Sequence, residues 1–480
     1  MTLKLSTLLR HNLLFSSRRG LASTATVTAS LPERWDFDVF VVGGGVVGSA
    51  LALTLQARCG RDLRVGLIEG RPTPPLADVK ARVNPDLRVY SLTPTSINLL
   101  KETGAWALME DRHQPFESMQ VWDQGGHGHL RFDAADYKQP CLGSIAENSM
   151  IQSALFEQLK ASDAITIICP GKIEDIIQDS NGPIKVRLKE SDEGKTKTLT
   201  ARLLVGADGG NSYVKRKLGM ASLGWGYGQR AVVATIKVSD FHTTAWQRFL
   251  RTGPLALLPL WDGFSSIVWS TTPSHADVLC QLSPEDFLQE LNGALRQGPE
   301  FQTPSEAAHP FPFSIGQHIV KEAVELSRTV AALADANAGF QIPPQITEVC
   351  GPRFGLDLRF DHAKAYAAPR VALVGDAAHT IHPMAGQGLN LGIGDVDALA
   401  KVIKDGLQTG QDIGLLSLLQ HYERERQPKN LSMMLGLEGL HHLFSSDHDA
   451  ISLARNTGLG GLNLFGLGKE QIAKVAMGLQ

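Results

Sequence analysis

Three glycines, Gly43, Gly45 and Gly48, stand at the spacing of a phosphate-binding turn, and Glu69 follows about 20 residues later. Each has a separate job in holding a dinucleotide. Gly43 permits a tight turn, Gly45 lets the backbone approach a pyrophosphate, and Gly48 permits close packing of helix on strand. Val46 and Val47 then open a helix whose free N–H groups and partial positive charge face the phosphates. Glu69 can accept hydrogen bonds from both ribose hydroxyls, and an acid there disfavours a 2′-phosphate. This turn alone suits FAD and NAD equally.

Two further Gly/Asp turns follow apolar strands. Residues 371–395 read VALVGDAAHTIHPMAGQGLNLGIGD. Asp376, at a strand's end, is placed to hold a hydroxyl of a cofactor's linker. Pro383, Gly386 and Gly388 suit a loop whose backbone faces a flat ring system. Leu389 and Asn390 open a helix that aims its dipole at that ring, where a reduced flavin carries negative charge. Residues 206–216 read GADGGNSYVKR and bring Asp208 and a bendable turn toward the same cleft. Together the three turns select FAD over NAD. His379 and His382 are three apart, but no third ligand is suggested. They read as loop-structuring, and no metal is expected.

Elements must position these groups. Residues 36–42 read as a buried strand, 46–57 as a helix and 64–68 as the next strand, a βαβ start that calls for a parallel sheet. Residues 72–86 read as a loop, and 96–109 and 149–162 as helices. Short strands at 165–169, 173–178, 184–188 and 199–204 form an antiparallel excursion. Residues 231–238, 255–260 and 265–270 suggest a second, largely antiparallel sheet. Residues 283–345 look helical and loopy, 370–375 returns to a buried strand, and 395–407 and 415–432 read as helices.

The 480-residue chain is long enough for two domains. Its net charge of −3 gives no reason to expect a nucleic-acid partner. None of the five cysteines forms a C-x-x-C pair, which argues against a disulfide framework, a zinc knuckle or a dithiol redox centre. Residues 1–32 carry Lys4, Arg10, Arg18 and Arg19, many Ser and Thr, and no acid, the composition of a mitochondrial or chloroplast transit peptide. Val39–Ala57 is free of charge, yet three consecutive glycines near its middle favour strand, turn and helix over a membrane span.

In combination these motifs resemble the class A flavoprotein aromatic hydroxylases. The G-x-G-x-x-G turn, the Asp208-Gly209…Ser212 segment and the Gly375-Asp376…Asn390 segment occur in that family's order. HPMAGQGLNLGIGD at 382–395, and the stretches around Trp246, Leu258 and Trp269, resemble its ubiquinone-biosynthesis branch. The resemblance implies an α/β fold: a Rossmann-like FAD-binding domain of the p-hydroxybenzoate-hydroxylase type with an antiparallel-sheet substrate domain. The implied FAD domain is 33–110, 145–220 and 350–435. The substrate domain is 111–144 and 221–349, and 436–480 is a C-terminal helical segment, which would pack or touch a membrane or partner.

The implied activity is hydroxylation of C5 of a polyprenylated 4-hydroxybenzoate or phenol ring, with O₂ activated as a flavin C4a-hydroperoxide and no essential catalytic side chain. The electron donor would be ferredoxin with its reductase. The place would be the matrix face of the mitochondrial inner membrane, in a complex with other ubiquinone-biosynthesis proteins. Arg88 matches the family arginine near the flavin. Lys215 stands where the family usually has arginine, keeping the charge and losing the planar fork. Trp246, Arg248, Leu258, Trp269 and Met384 are the candidates for the substrate pocket. Two other readings stay open: a non-catalytic flavin-binding assembly factor, and a class A hydroxylase acting on a different phenol with NAD(P)H.

Overall fold

The first strand, Phe37–Val42, is buried along its whole length, as a strand covered on both faces must be. It pairs in parallel with Thr196–Gly206 on one side and Val65–Ile68 on the other. Gly66 is required within this sheet, because a Cβ there would lie 2.6 Å from the Phe40 ring. The sheet has eight strands in all. Val371–Leu373 and Ile165–Ile168 extend the parallel part. The Lys172–Gln178 and Ile184–Lys189 strands fold back antiparallel onto the start of Thr196–Gly206 as expected, whereas Ile165–Ile168 and the end of Thr196–Gly206, read as part of the same excursion, run in the parallel sheet. The helix Val46–Cys59 packs against the helices Gly388–Gln408 and Asn148–Lys160. These layers enclose the largest hydrophobic core.

A second sheet of nine strands is built from Ser118–Asp123, His129–Asp133, Ser222–Val238, Thr244–Leu250, Gly253–Pro259, Phe264–Thr271, Ile346–Val349, Phe354–Ala363 and His379–Thr380. It is antiparallel except where Thr244–Leu250 runs parallel to Ser118–Asp123. Hydrogen bonding thus ties Phe354–Ala363 and His379–Thr380 to this sheet, although the sequence reading gave 350–435 to the FAD domain. A third, three-stranded sheet joins Val89–Leu92, His113–Phe116 and Gly143–Glu147.

The computed structural model describes residues 35–480 except 125–127, 180–181, 190–195, 299–328, 330–338, 447–448, 466 and 479–480. The expected leader at 1–32 and most of the helical stretch expected between 283 and 345 lie outside the described residues. Among the described residues, 35–480 forms one compact unit.

Several elements differ from expectation. The 72–86 loop contains a short helix, Leu76–Lys80, anchored by buried Val79. The helix expected over 96–109 divides into Pro94–Glu102 and a 3-10 turn, Trp106–Met109, because Gly104 takes a left-handed φ of +76°. The helix start expected near Gly388 and the helix expected over 395–407 are one helix, Gly388–Gln408, and the helix expected to end at 432 continues through Pro428 to Ser445. Among the described residues, no helix is long and apolar enough to cross a membrane.

Candidate active site

A cavity of about 1110 Å³ opens between the carboxyl ends of the parallel strands and one face of the second sheet. Gly43, Gly45, Val46, Val47, Glu69, Arg88, Asp208, Asp376, Pro383, Met384, Gly386, Gly388, Leu389 and Leu258 all line it. Parallel sheets gather ligands at this end because helix N-termini and strand-end turns converge there.

The rim of the cavity is glycine-shaped. Gly43 has φ +107°, and a Cβ on it would meet the Ala207 carbonyl at 2.4 Å. A Cβ on Gly48 would lie 1.9 Å from the Gly43 carbonyl, so Gly48 serves packing and does not line the cavity. A Cβ on Gly45 would meet nothing within 4 Å, so backbone there faces open space. The helix that starts at Val46 has no side-chain cap, which leaves its first amide groups available to an anion. Glu69 is held in place by accepting from the Gly44 N–H at 2.7 Å and the Arg71 N–H at 2.9 Å. The helix that starts at Gly388 is likewise uncapped by a side chain and opens on the cavity. Asn390 stays outside it. Its amide donates to the Ser91 carbonyl at 2.7 Å, and its oxygen accepts from the Thr93 N–H at 3.0 Å and the Ser96 hydroxyl at 2.7 Å. Asn390 therefore pins the helix start to the wall that carries Arg88 and Tyr90.

The opposite wall is one face of the second sheet. Residues alternate along each strand, so the face is selected by parity. Ala231, Val233, Ala245, Gln247, Ala256 and Val268 face the cavity. Trp246, Arg248 and Trp269, expected in the substrate pocket, point the other way and are buried. The two tryptophans join a core with Phe287, Leu291 and Leu295 of the helix Pro284–Arg296. Arg248 donates to the Ala294 carbonyl of that helix at 2.6 Å. The physical reason is volume: large rings fill the sheet–helix interface, and small side chains leave room on the cavity side. Of the five expected pocket residues, Leu258 and Met384 line the cavity.

Relatives decide what this arrangement is. Residues 36–311 and 352–434 match the FAD binding domain family. The human ubiquinone biosynthesis monooxygenase COQ6, mitochondrial, is 36% identical over 453 residues, covering 92% of each chain. This chain belongs to that family of flavoprotein monooxygenases. The 3-demethoxyubiquinol 3-hydroxylase of Escherichia coli is 33% identical, over 92% of this chain and 98% of its own. In fold, p-nitrophenol 4-monooxygenase PnpA from Pseudomonas putida matches with a TM-score of 0.64 at 18% identity, over 91% of this chain and 96% of PnpA.

The monooxygenase binds FAD, and the residues present fit that cofactor. Two uncapped helix starts, an open glycine and an oriented acid surround one cavity. The Asp376 carboxylate makes no hydrogen bond among the described residues and is free to take a hydroxyl. Asp208 is more occupied: its Oδ2 accepts from the Tyr213 N–H at 2.6 Å and the Val214 N–H at 3.1 Å, capping a short helix. Its Oδ1 is buried without a partner among the described residues. The Arg88 guanidinium lies 5.2 Å from the centre of the Tyr90 ring. Burial pushes the Tyr90 phenol up to about 12, with Arg88 opposing and Asp376 reinforcing, so it stays a neutral donor.

Behind the rim lies a network that sequence reasoning missed. Asp395, fully buried in the Gly388–Gln408 helix, accepts from the Gly375 N–H at 3.0 Å, Arg426 Nε at 2.9 Å and Asn430 Nδ2 at 3.0 Å, and meets His379 Nε2 at 2.6 Å. Burial alone would raise its carboxyl, but His379 and Arg426 outweigh it and hold it below the usual range. The network fixes Gly375, the neighbour of Asp376. The available signal was an acid among the apolar positions of that helix, two residues before Asp397. His382 structures its loop, as expected. Its Nδ1 accepts from the Met384 N–H at 3.1 Å, leaving Nε2–H to donate to Gln229 at 3.2 Å. Burial pushes its imidazole down to about 3, so it is neutral. Lys215, the departure from the family arginine, is buried and paired with Asp361 of the second sheet. A compact ammonium suits that single carboxylate.

Proposed function

We propose that this chain is an FAD-dependent monooxygenase that hydroxylates C5 of a polyprenylated phenol ring in ubiquinone biosynthesis. The observation that carries the reading is the pairing of walls: a backbone rim fitted to a dinucleotide faces an apolar floor of small side chains across one cavity. One relative is named a mitochondrial ubiquinone biosynthesis monooxygenase and another a 3-demethoxyubiquinol 3-hydroxylase, which supports ring hydroxylation in ubiquinone biosynthesis and a mitochondrial place.

Bound FAD supplies the two-electron chemistry and activates O₂, which no side chain does. The chain's residues do the rest. The amides of Val46 and Val47, with Gly43 and Gly45, would hold the pyrophosphate, Glu69 the ribose, and Asp376 a linker hydroxyl. The Gly388 helix start would face the flavin ring, flanked by Pro383, Gly386 and Leu389. Leu258, Met384 and the alanines of the floor exclude water and leave space for the ring, so that oxygen is transferred before hydrogen peroxide is lost. The FAD-binding part is 33–110, 145–220 and 350–435, and the substrate part 111–144 and 221–349, with the second sheet's last strands supplied by the former. Ferredoxin and its reductase serve as electron donor, and the enzyme works at the matrix face of the inner membrane among other ubiquinone-biosynthesis proteins.

Reconstitution tests this. The FAD-loaded protein is given a prenylated 4-hydroxybenzoate with O₂, and with either NADPH alone or ferredoxin plus reductase. C5 hydroxylation with the second system only is the expected result. Rapid flavin reduction by NADPH alone would sink the ferredoxin assignment, and purified protein without flavin absorbance would sink the whole reading.

A further inference from the structure

The floor of the cavity carries a polar group that the fold itself does not use. Gln247 is only 6% exposed and lines the cavity. Among the described residues the other two buried glutamines are both bonded. Gln120 donates to the Gln341 carbonyl at 2.8 Å and accepts from the Gln341 N–H at 3.0 Å, and Gln387 donates to the Ala476 carbonyl at 3.1 Å. The Gln247 carboxamide makes no hydrogen bond among the described residues. An amide that the surrounding fold leaves unpaired and that reaches the cavity marks a place where a partner arrives from outside.

Register puts it at the centre of the floor. Gln247 pairs with Ala256, and Ala256 with Val268, so an amide, an alanine and a valine form one row across three strands. Ala245 lies two positions before Gln247 on the same face, and Ser270 two positions beyond Val268. Ser270 is 1% exposed, also lines the cavity, and its hydroxyl makes no hydrogen bond among the described residues. The small neighbours leave space above the amide. Among the described residues, no charged side chain of the strands between 231 and 271 lines this face. Of the lining charges outside those strands, two stand on the same sheet's strand Phe354–Ala363, where Arg359 donates to Asn211 at 2.7 Å and Asp357 pairs with Arg230, and Arg88 sits beside Tyr90 on another wall.

An amide offers one acceptor and two donor hydrogens and no charge. It therefore suits a hydroxyl or methoxy oxygen, and it gives a carboxylate no counter-ion. We propose that Gln247 orients the aromatic substrate by hydrogen bonding to an oxygen substituent on an uncharged edge of the ring, with the Ser270 hydroxyl, two strands away on the same face, offering a second polar contact across the floor. This rests on the reading of the site as a phenol hydroxylase and names the side chains that make it selective.

The test uses full-length, FAD-loaded protein and two variants, Gln247→Met, which keeps the volume, and Ser270→Ala. Two probes are titrated against the oxidised flavin's absorbance: a short-chain prenylated phenol and the same molecule without its hydroxyl. For the phenol, Gln247→Met is expected to weaken binding about fivefold to thirtyfold, and Ser270→Ala about twofold to fivefold, the range of a neutral hydrogen bond. The hydroxyl-free probe is expected to bind wild type and Gln247→Met alike, with FAD content and Tm unchanged. In a single turnover of dithionite-reduced enzyme with O₂, the variants shift product from hydroxylated ring toward hydrogen peroxide. Equal loss for both probes, or no loss for either, overturns the assignment. Wild type that binds the phenol but does not hydroxylate it overturns the proposed reaction instead, and the two-probe comparison then judges Gln247 separately.

Discussion

The two walls of the cavity are made by different means. The rim is backbone: its shape depends on atoms that are missing at Gly43, Gly45 and Gly48, and on amide groups left free at helix starts. The floor is side chain: its shape depends on small residues at one parity of each strand and large ones at the other. The rim therefore tolerates almost no substitution, whereas the floor can be altered on one side without touching the other. The largest expected effect lies at Gly48. A methyl group there would meet the Gly43 carbonyl at 1.9 Å, which forces helix and strand apart. Gly48→Ala is expected to cost roughly 3 kcal/mol or more and to strip the flavin, measured as FAD per mole after purification. Full flavin content in that variant would mean the rim is not set by this contact.

The network behind the rim comes next. Asp395→Asn leaves Arg426 with a neutral partner in a fully buried setting, and a loss of roughly 3–5 kcal/mol is expected by denaturant unfolding. The pH dependence gives a sharper check. The folded-state carboxyl is depressed, so its stabilisation is complete above the ordinary carboxylate value of 3.8 and is lost as pH falls below it. Asp395→Asn should unfold with a shallower acid dependence in that window than wild type.

The floor separates fold from function. Trp269 is buried on the helix side, so Trp269→Ala is expected to cost roughly 3 kcal/mol of stability while ring binding by the remaining folded protein changes little. Ala256→Leu should do the reverse, because it adds volume on the cavity side. If Trp269→Ala weakened ring binding while Ala256→Leu did not, the two faces would have to be exchanged.

This contrast also explains what could be read in the sequence. The rim was legible because its requirements are local: a glycine spacing, an acid at a strand end, a glycine-rich helix start. Glu69, Asp376 and the Gly388 loop were found on that basis, and all of them line one cavity. The floor was not legible, because strand parity relative to a cavity depends on which face the helix Pro284–Arg296 covers, and that is a long-range fact. Trp246 and Trp269 drew the eye as aromatic residues, yet their size is the reason they sit away from the substrate space. Asn390 and Gly48 were found by motif but act through packing and hydrogen bonds within the protein. Gln247 sat one position from Trp246 and Arg248 and passed unnoticed, since a glutamine in a strand has no distinction until its missing partner is seen.

The smallest expected effect at neutral pH lies at His382, where rim and floor meet. Its ring joins the Met384 N–H of the rim loop to Gln229, whose amide donates in turn to the Thr252 carbonyl beside the floor strands at 2.6 Å. The chain works only with the neutral imidazole, because Nδ1 must accept. The folded-state value lies at about 3 and the ordinary value at 6.5, so the native protein excludes a proton that the unfolded chain takes up below 6.5. Stability from this source is complete above pH 6.5 and fades as pH falls from there toward 3. His382→Gln, which offers an amide and does not titrate in this range, is expected to cost about 1 kcal/mol at pH 7.5, where a hydrogen bond is weakened and nothing titrates. Between pH 6.5 and 4.5 the gap between variant and wild type should close and then reverse, as wild type alone loses stability to protonation of its unfolded state, by about 1.4 kcal/mol per pH unit. A constant gap across that range would show that His382 does not link the two walls as a neutral ring, and would leave the contact of Met384 with the cavity to be held by the loop glycines alone.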